Sequence, residues 1–172
     1  MLYQSIFYEK TNYLAGGGNS TRILVTHYSS RPPWSARELL KTINDLGHIG
    51  FYERIQAIDA EIHGDGVVDV SVAGRPVYLD AVIVRGLGYT MSIEQLLKRV
   101  GVLETIKIFK GPVINDPVKM ILAREKWISL IHLYETGLPV PRTIITENPY
   151  TAMRALQKYG RAVFKPPIGS LG

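Results

Sequence analysis

Residues 80–88 read Asp-Ala-Val-Ile-Val-Arg-Gly-Leu-Gly. The unbroken apolar run from Ala81 to Val84 does not alternate, so it reads as a strand buried on both faces, as in a parallel sheet. It ends on Arg85, followed by Gly86 and Gly88. In open α/β sheets the carboxyl ends of the parallel strands border the ligand crevice. Arg85 therefore stands where a carboxylate or phosphate could be gripped; an ordinary surface arginine closing a strand is the alternative.

Toward the N-terminus, Ile23-Leu24-Val25 is a second short buried strand. A Ser-Ser-Arg-Pro-Pro loop leads from it to a helix. Ser35 and Glu38 stand three apart as a capping box, Leu39, Ile43 and Leu46 follow at helical spacing, and Gly47 lies just past the end. A further strand is expected within Gly50–Ile58. Strand, helix and strand make a βαβ unit, which implies parallel pairing with a right-handed crossover. Val68, Val70 and Val72 alternate with Asp69 and Ser71, and Ala73-Gly74 supplies a turn, so residues 67–79 read as a hairpin. Tyr3–Glu9 and the glycine joint at 16–20 read either as a loosely docked tail or as an added edge strand or oligomer contact.

Toward the C-terminus, Ser92 opens a helix to about Leu103, and Val113-Ile114 is a short strand. Asp116 caps a helix with Pro117 at its first position, running to about Glu135 with Val118, Ile121, Leu122 and Ile128 as its stripe. Lys126 falls about 100° off that stripe and is free to point into a cleft. Gly137-Leu138-Pro139-Val140-Pro141 stops the helix and is a candidate boundary. Thr143–Thr146 reads as a strand. Asn148-Pro149 caps a helix ended by Gly160, and Ala162–Phe164 reads as the next strand. That strand delivers Lys165 and then the loop Gly169-Ser170-Leu171-Gly172. A lysine at a strand end beside free backbone N–H groups suits phosphate, and Lys126 adds a second point charge.

The 172 residues contain no cysteine, which excludes a disulfide framework, a thiol nucleophile and a Cys zinc site. The four histidines, His27, His48, His63 and His132, lack metal-ligand spacing and read as solvated or locally hydrogen-bonded. No Gly-x-Gly-x-x-Gly follows the first strand and no Gly-Lys-Ser/Thr loop is present. No apolar run approaches a membrane span, and the first residues lack the pattern of a signal peptide, so a cytoplasmic protein is expected. The net charge is +5. Residues 1–114 hold 12 Lys/Arg and 11 Asp/Glu, whereas residues 115–172 hold 8 and 4, so the excess accompanies the phosphate-like loop. A basic tilt also suits nucleic acid, but no long basic run or aromatic RNA-binding signature supports that partner.

Four stretches carry a family resemblance: "DAVIVR" (80–85), "GPVINDPVKMILAREKW" (111–127), "GLPVPRT" (137–143) and "AVFKPPIGSLG" (162–172). In content, order and spacing they resemble the RimK-type glutamate ligases of the ATP-grasp superfamily. Residues 22–80 are similar in pattern only, and residues 1–20 match nothing in that family. The resemblance implies an α/β fold: an N-terminal extension (1–20), a Rossmann-like preATP-grasp domain with a parallel sheet and a hairpin (21–114), and the beginning of an ATP-grasp α+β domain (115–172).

It further implies an ATP- and magnesium-dependent carboxylate–amine ligase, which activates a carboxylate as an acyl phosphate and joins it to an amine, often glutamate. The partners implied are ATP, a small-molecule or peptide carboxylate, an amino acid, and a second copy of the chain in a homodimer or higher oligomer. By the same resemblance Lys126 occupies the place of the family lysine that touches the nucleotide phosphates, with Glu125 where Asp is usual. Lys165 matches the second nucleotide lysine, Gly169, Ser170 and Gly172 match the mobile phosphate loop, and Arg85 matches an arginine facing the substrate crevice. The family's magnesium ligands and adenine clasp are expected beyond residue 172. On that ground the lone chain is expected to be inactive as a ligase, whether truncated, cleaved or split. A non-catalytic α/β interaction or assembly domain, and a peptide- or glutathione-synthetase type of ATP-grasp ligase, remain the alternatives.

Overall fold

Arg22–His27 forms β1, and its middle residues Leu24 and Val25 are both fully buried although they point to opposite faces. A strand wet on neither side belongs between layers, and the pairing shows it. The structure, a computed structural model, describes residues 20–167. After β1 come α1 (Trp34–Asp45), β2 (Ile49–Arg54), β3 (Ile58–Ile62), β4 (Val68–Val72), β5 (Arg75–Pro76) and β6 (Ala81–Val84). Then follow α2 (Ile93–Phe109), β7 (Val113–Ile114), α3 (Pro117–Arg124), α4 (Lys126–Glu135) and α5 (Pro149–Tyr159).

β1, β2, β6 and β7 make one parallel sheet in the order β2-β1-β6-β7. β3, β4 and β5 make a separate antiparallel sheet. Val25, Ala36 and Ile43 close the face beneath α1. On the other face Leu24, Val82 and Val84 meet Leu103 and Ile106 of α2 and Val70 and Val72 of the small sheet. The expected α/β class, the parallel strand at 80–85 and the pairing of the first βαβ unit are all present.

Several local expectations change. The capping box at Ser35 does not form: α1 begins at Trp34, and the Pro33 carbonyl accepts from the N–H groups of Ala36 and Arg37 at 2.9 and 3.0 Å. Pro33 already holds an extended conformation at the helix entry, so Ser35 lies inside the first turn rather than before it. Gly47 does end the helix, with φ of 80°. The hairpin turns at Ala73-Gly74, both at positive φ, but β3 extends it to three strands. α2 begins at Ser92, whose hydroxyl accepts from Gln95 N–H in a capping box, and it runs through Gly101 to Phe109. Burial of Val102, Leu103 and Ile106 carries it past the glycine.

The helix expected from Pro117 to Glu135 is two helices broken at Glu125, whose backbone is extended at φ −82° and ψ 114°. Thr143–Thr146 and Ala162–Phe164 are not strands. A strand needs a hydrogen-bonded neighbour, and among the described residues neither segment has one. Val163 and Phe164 remain exposed, at 81% and 67%. The readings of Tyr3–Glu9 and of the glycine joint lie outside the described residues, apart from Ser20.

Leu103 is completely buried whereas Leu97, on the same helix, is 63% exposed. Leu103→Ala is expected to lower unfolding free energy in urea by about 3 kcal/mol, while Leu97→Ala stays within about 0.5 kcal/mol. Equal losses would mean that α2 does not pack by this face.

Candidate functional site

The carboxyl ends of β1 and β6 lie side by side because Thr26 pairs with Val84 in the parallel register. The next residue, Arg85, donates its N–H to the Thr26 carbonyl at 2.8 Å. His27 and Arg85 thus emerge together into a cleft of about 1540 Å³. The α3–α4 junction and residues 141–146 and 161–167 also line it.

Arg85, Arg124, Lys126, Arg142, Arg161 and Lys165 all line this cleft. The one carboxylate among the described lining residues is Glu125, and its oxygens are occupied. Glu125 Oε1 accepts from Trp127 N–H at 3.1 Å, and Oε2 accepts from Ile128 N–H. A carboxylate on two amides at a helix N-terminus is strongly favoured, and here it ends α3 and starts α4 at once. The position where the family usually has Asp is a helix cap in this chain.

The break redirects Lys126. Lys126 lies at the first position of α4, where a helix leaves its N–H without an internal partner, and that N–H donates to the Pro167 carbonyl at 3.1 Å. Its Nζ donates to the Pro166 carbonyl at 2.8 Å. Lys126 reaches the cleft as expected, but through a helix start and not as an off-stripe residue of a long helix. The contact brings it against the segment that carries Lys165, so these two lysines share one wall. Arg85 lines the same cleft from the strand ends. Gly169, Ser170 and Gly172 lie outside the described residues.

Four further residues of this cleft escaped the sequence reading. The ring of His27 stacks at 4.1 Å on Tyr28, Tyr28 meets Tyr89 edge-on at 5.3 Å, and Arg124 lies 5.4 Å from the Tyr89 ring centre. Only the sheet register makes neighbours of residues 27 and 85, and only the packing of α3 brings Arg124 to Tyr89. Behind the 86–89 loop, buried Arg99 donates to the Leu87 carbonyl and contacts Met91 Sδ at 3.5 Å. A Cβ at Gly88 would collide with its guanidinium, so that loop is fitted around a fixed cation. An arginine on the buried face of α2 was the one sign of this in the sequence.

His27 titrates below its ordinary 6.5, because burial disfavours the imidazolium and Arg85 adds repulsion. Its Nδ1 accepts from Ser29 N–H at 3.1 Å. The neutral ring therefore carries its proton on Nε2. Among the described residues no group of three or more His, Cys, Asp or Glu side chains could hold a metal ion. None of the described helices is long and apolar enough to cross a membrane.

The fold is shared with ATP-grasp proteins. The macrocyclase MdnC from Microcystis aeruginosa, solved with its precursor peptide MdnA, matches with a TM-score of 0.56 and 18% identity, over 81% of this chain and 52% of that one. A RimK domain ATP-grasp protein from Sphaerobacter thermophilus matches with a TM-score of 0.56 and 17% identity, over 80% and 45%.

In sequence, the tetrahydromethanopterin:alpha-L-glutamate ligase of Methanosarcina acetivorans is 29% identical over 143 residues, 81% of this chain and 44% of the relative. The same-named ligase of Methanocaldococcus jannaschii is 33% identical over 94 residues, 55% of this chain and 30% of the relative. No protein-family model matches. The sequence relatives are glutamate ligases and the structural neighbours are ATP-grasp proteins, in line with the resemblance to the RimK-type ligases. The chain spans less than half the length of these two curated relatives.

His27 also gives a pH signature. Its folded pKa lies below its unfolded value of 6.5, so its contribution to stability is intact above that value. As pH falls below 6.5 the unfolded chain takes up the proton first, and stability drops until the folded ring also protonates. Thermal melts of the wild type should therefore fall from pH 7 toward pH 5 more steeply than those of His27→Gln. Parallel curves would remove His27 from the buried edge of the cleft.

Proposed function

We propose that the chain carries part of the active site of an ATP-dependent carboxylate–amine ligase that adds glutamate to a carboxylate acceptor. The observation that carries this reading is the docking of Lys126 on Pro166, which unites two lysines on one wall of a cleft whose only described carboxylate is engaged in capping. Two ammonium groups with neighbouring arginines suit a polyphosphate. Bound ATP would supply the phosphoryl group that activates the acceptor carboxylate. Lys126 and Lys165 then stabilise charge on the transferred group, which is the main demand such a transfer makes of a protein.

Arg85, at the strand ends, faces the acceptor in this reading. Gly169, Ser170 and Gly172 supply loop amides over the phosphates and exclude water from the activated acyl group. The relatives from Methanosarcina acetivorans and Methanocaldococcus jannaschii are named as tetrahydromethanopterin:alpha-L-glutamate ligases, which supports glutamate as the added amino acid in this reading. By the family resemblance, the magnesium ligands of this reading lie beyond residue 172. Under the same proposal the chain divides into an extension (1–20), a preATP-grasp domain (21–114) and the start of the nucleotide domain (115–172). It acts in the cytoplasm as a homodimer or higher oligomer.

Isothermal titration of ATP with magnesium tests the reading. Wild-type protein should bind, and Lys126→Ala and Lys165→Ala should each weaken binding about tenfold or more, as for a lost hydrogen bond to a charged group. Affinity unchanged in both variants would sink the nucleotide assignment.

A further inference from the structure

We propose that His27 and Arg85 form a two-donor subsite for a carboxylate carried on an apolar or aromatic framework, at the carboxyl ends of β1 and β6. This rests on the ligase reading for its role as acceptor subsite, though not for its chemistry.

Four observations converge on it. The parallel register makes the two residues neighbours: Thr26 pairs with Val84, and Arg85 N–H is bonded to the Thr26 carbonyl. Both side chains line the cleft. The Ser29 N–H at Nδ1 leaves His27 in the form that carries its proton on Nε2, and among the described residues no acceptor meets that proton. Finally, Gly86 leaves room for the ring: a Cβ there would come within 2.8 Å of His27 Cδ2 and 3.1 Å of Nε2. Any larger residue would push the imidazole away.

A neutral N–H donor beside a guanidinium suits a carboxylate. The arginine supplies charge and a forked pair of donors, and the histidine supplies direction without a second charge. It also cannot act as a base through Nε2, because that atom already carries the proton. Its assignment is therefore to bind and orient. The rest of the ligand would lie along Tyr28 and Tyr89, which continue the same wall, with Arg124 closing its far edge. Lys126 and Lys165 line the same cleft from the α3–α4 junction and residues 161–167, so a carboxylate and a phosphate chain could be held at once.

The test is an NMR titration of the chain with benzoate, with acetate as the control of equal charge. His27 ring nitrogens in the free protein should show protonation at Nε2 and not at Nδ1. Benzoate should shift the His27 ring and the Arg85 Nε–H and should bind more tightly than acetate. Arg85→Gln and His27→Phe should each weaken it about tenfold. His27→Gln, which keeps an N–H donor at similar reach, should stay within about twofold of wild type. An Nδ1–H ring in wild type, benzoate shifts confined to the lysine wall, or equal affinity in His27→Phe would each overturn the proposal.

The same samples are titrated with ATP and magnesium. Benzoate binding as described without ATP binding would uphold the subsite and refute the ligase reading. ATP binding with no response of His27 to benzoate would do the reverse.

Discussion

The parallel pairing of β1 with β6 is the constraint on which the site depends. Backbone hydrogen bonds hold the two strands in a register that places Thr26 beside Val84, and every residue after that point inherits its position. Leu24, Val82 and Val84 are sealed on one face and Val25 on the other, so a shift by one residue would turn buried side chains outward on both sides. Register is therefore fixed by burial, and the adjacency of His27 and Arg85 follows from it without any direct bond between their side chains.

The second wall is set by a different device. Glu125 competes with helix continuation by offering its carboxylate to the amides of Trp127 and Ile128. The chain leaves the helical path for one residue, and Lys126 becomes a helix start whose N–H and Nζ both find carbonyls of the 166–167 segment. One side chain thus shapes the end of α3, the start of α4 and the direction of a lysine. It also engages in capping the one carboxylate among the described lining residues of the cleft.

The two walls differ in character. The lysine wall is cationic and meets chain that is irregular on both sides, with Ile145, Val163 and Phe164 exposed. The strand-end wall is aromatic and firmly backed, by Arg99 beneath the 86–89 loop and by the packed rings of His27, Tyr28 and Tyr89. In the proposed reading, the adaptable charge of the first surface suits a polyphosphate and the shape of the second suits a specific acceptor.

Much of the fold is legible in local sequence. The buried runs at 23–25 and 81–84, the alternation at 68–72, the caps Asp116 and Asn148 with their following prolines, and the glycines that end α1 and α5 all act through nearest neighbours. Arg85 and Lys165 could be picked out as charges following apolar runs, and Lys126 as an off-stripe position of a helix beside a matching motif. What only tertiary structure decided is pairing. Residues 143–146 and 162–164 have strand-forming composition, yet they are not strands, because a strand exists only with a hydrogen-bonded neighbour. His27 read as an unremarkable histidine because Arg85 and Gly86, which give it its surroundings, lie nearly sixty residues away. Their meeting is decided by sheet register, and register depends on which faces the whole molecule buries.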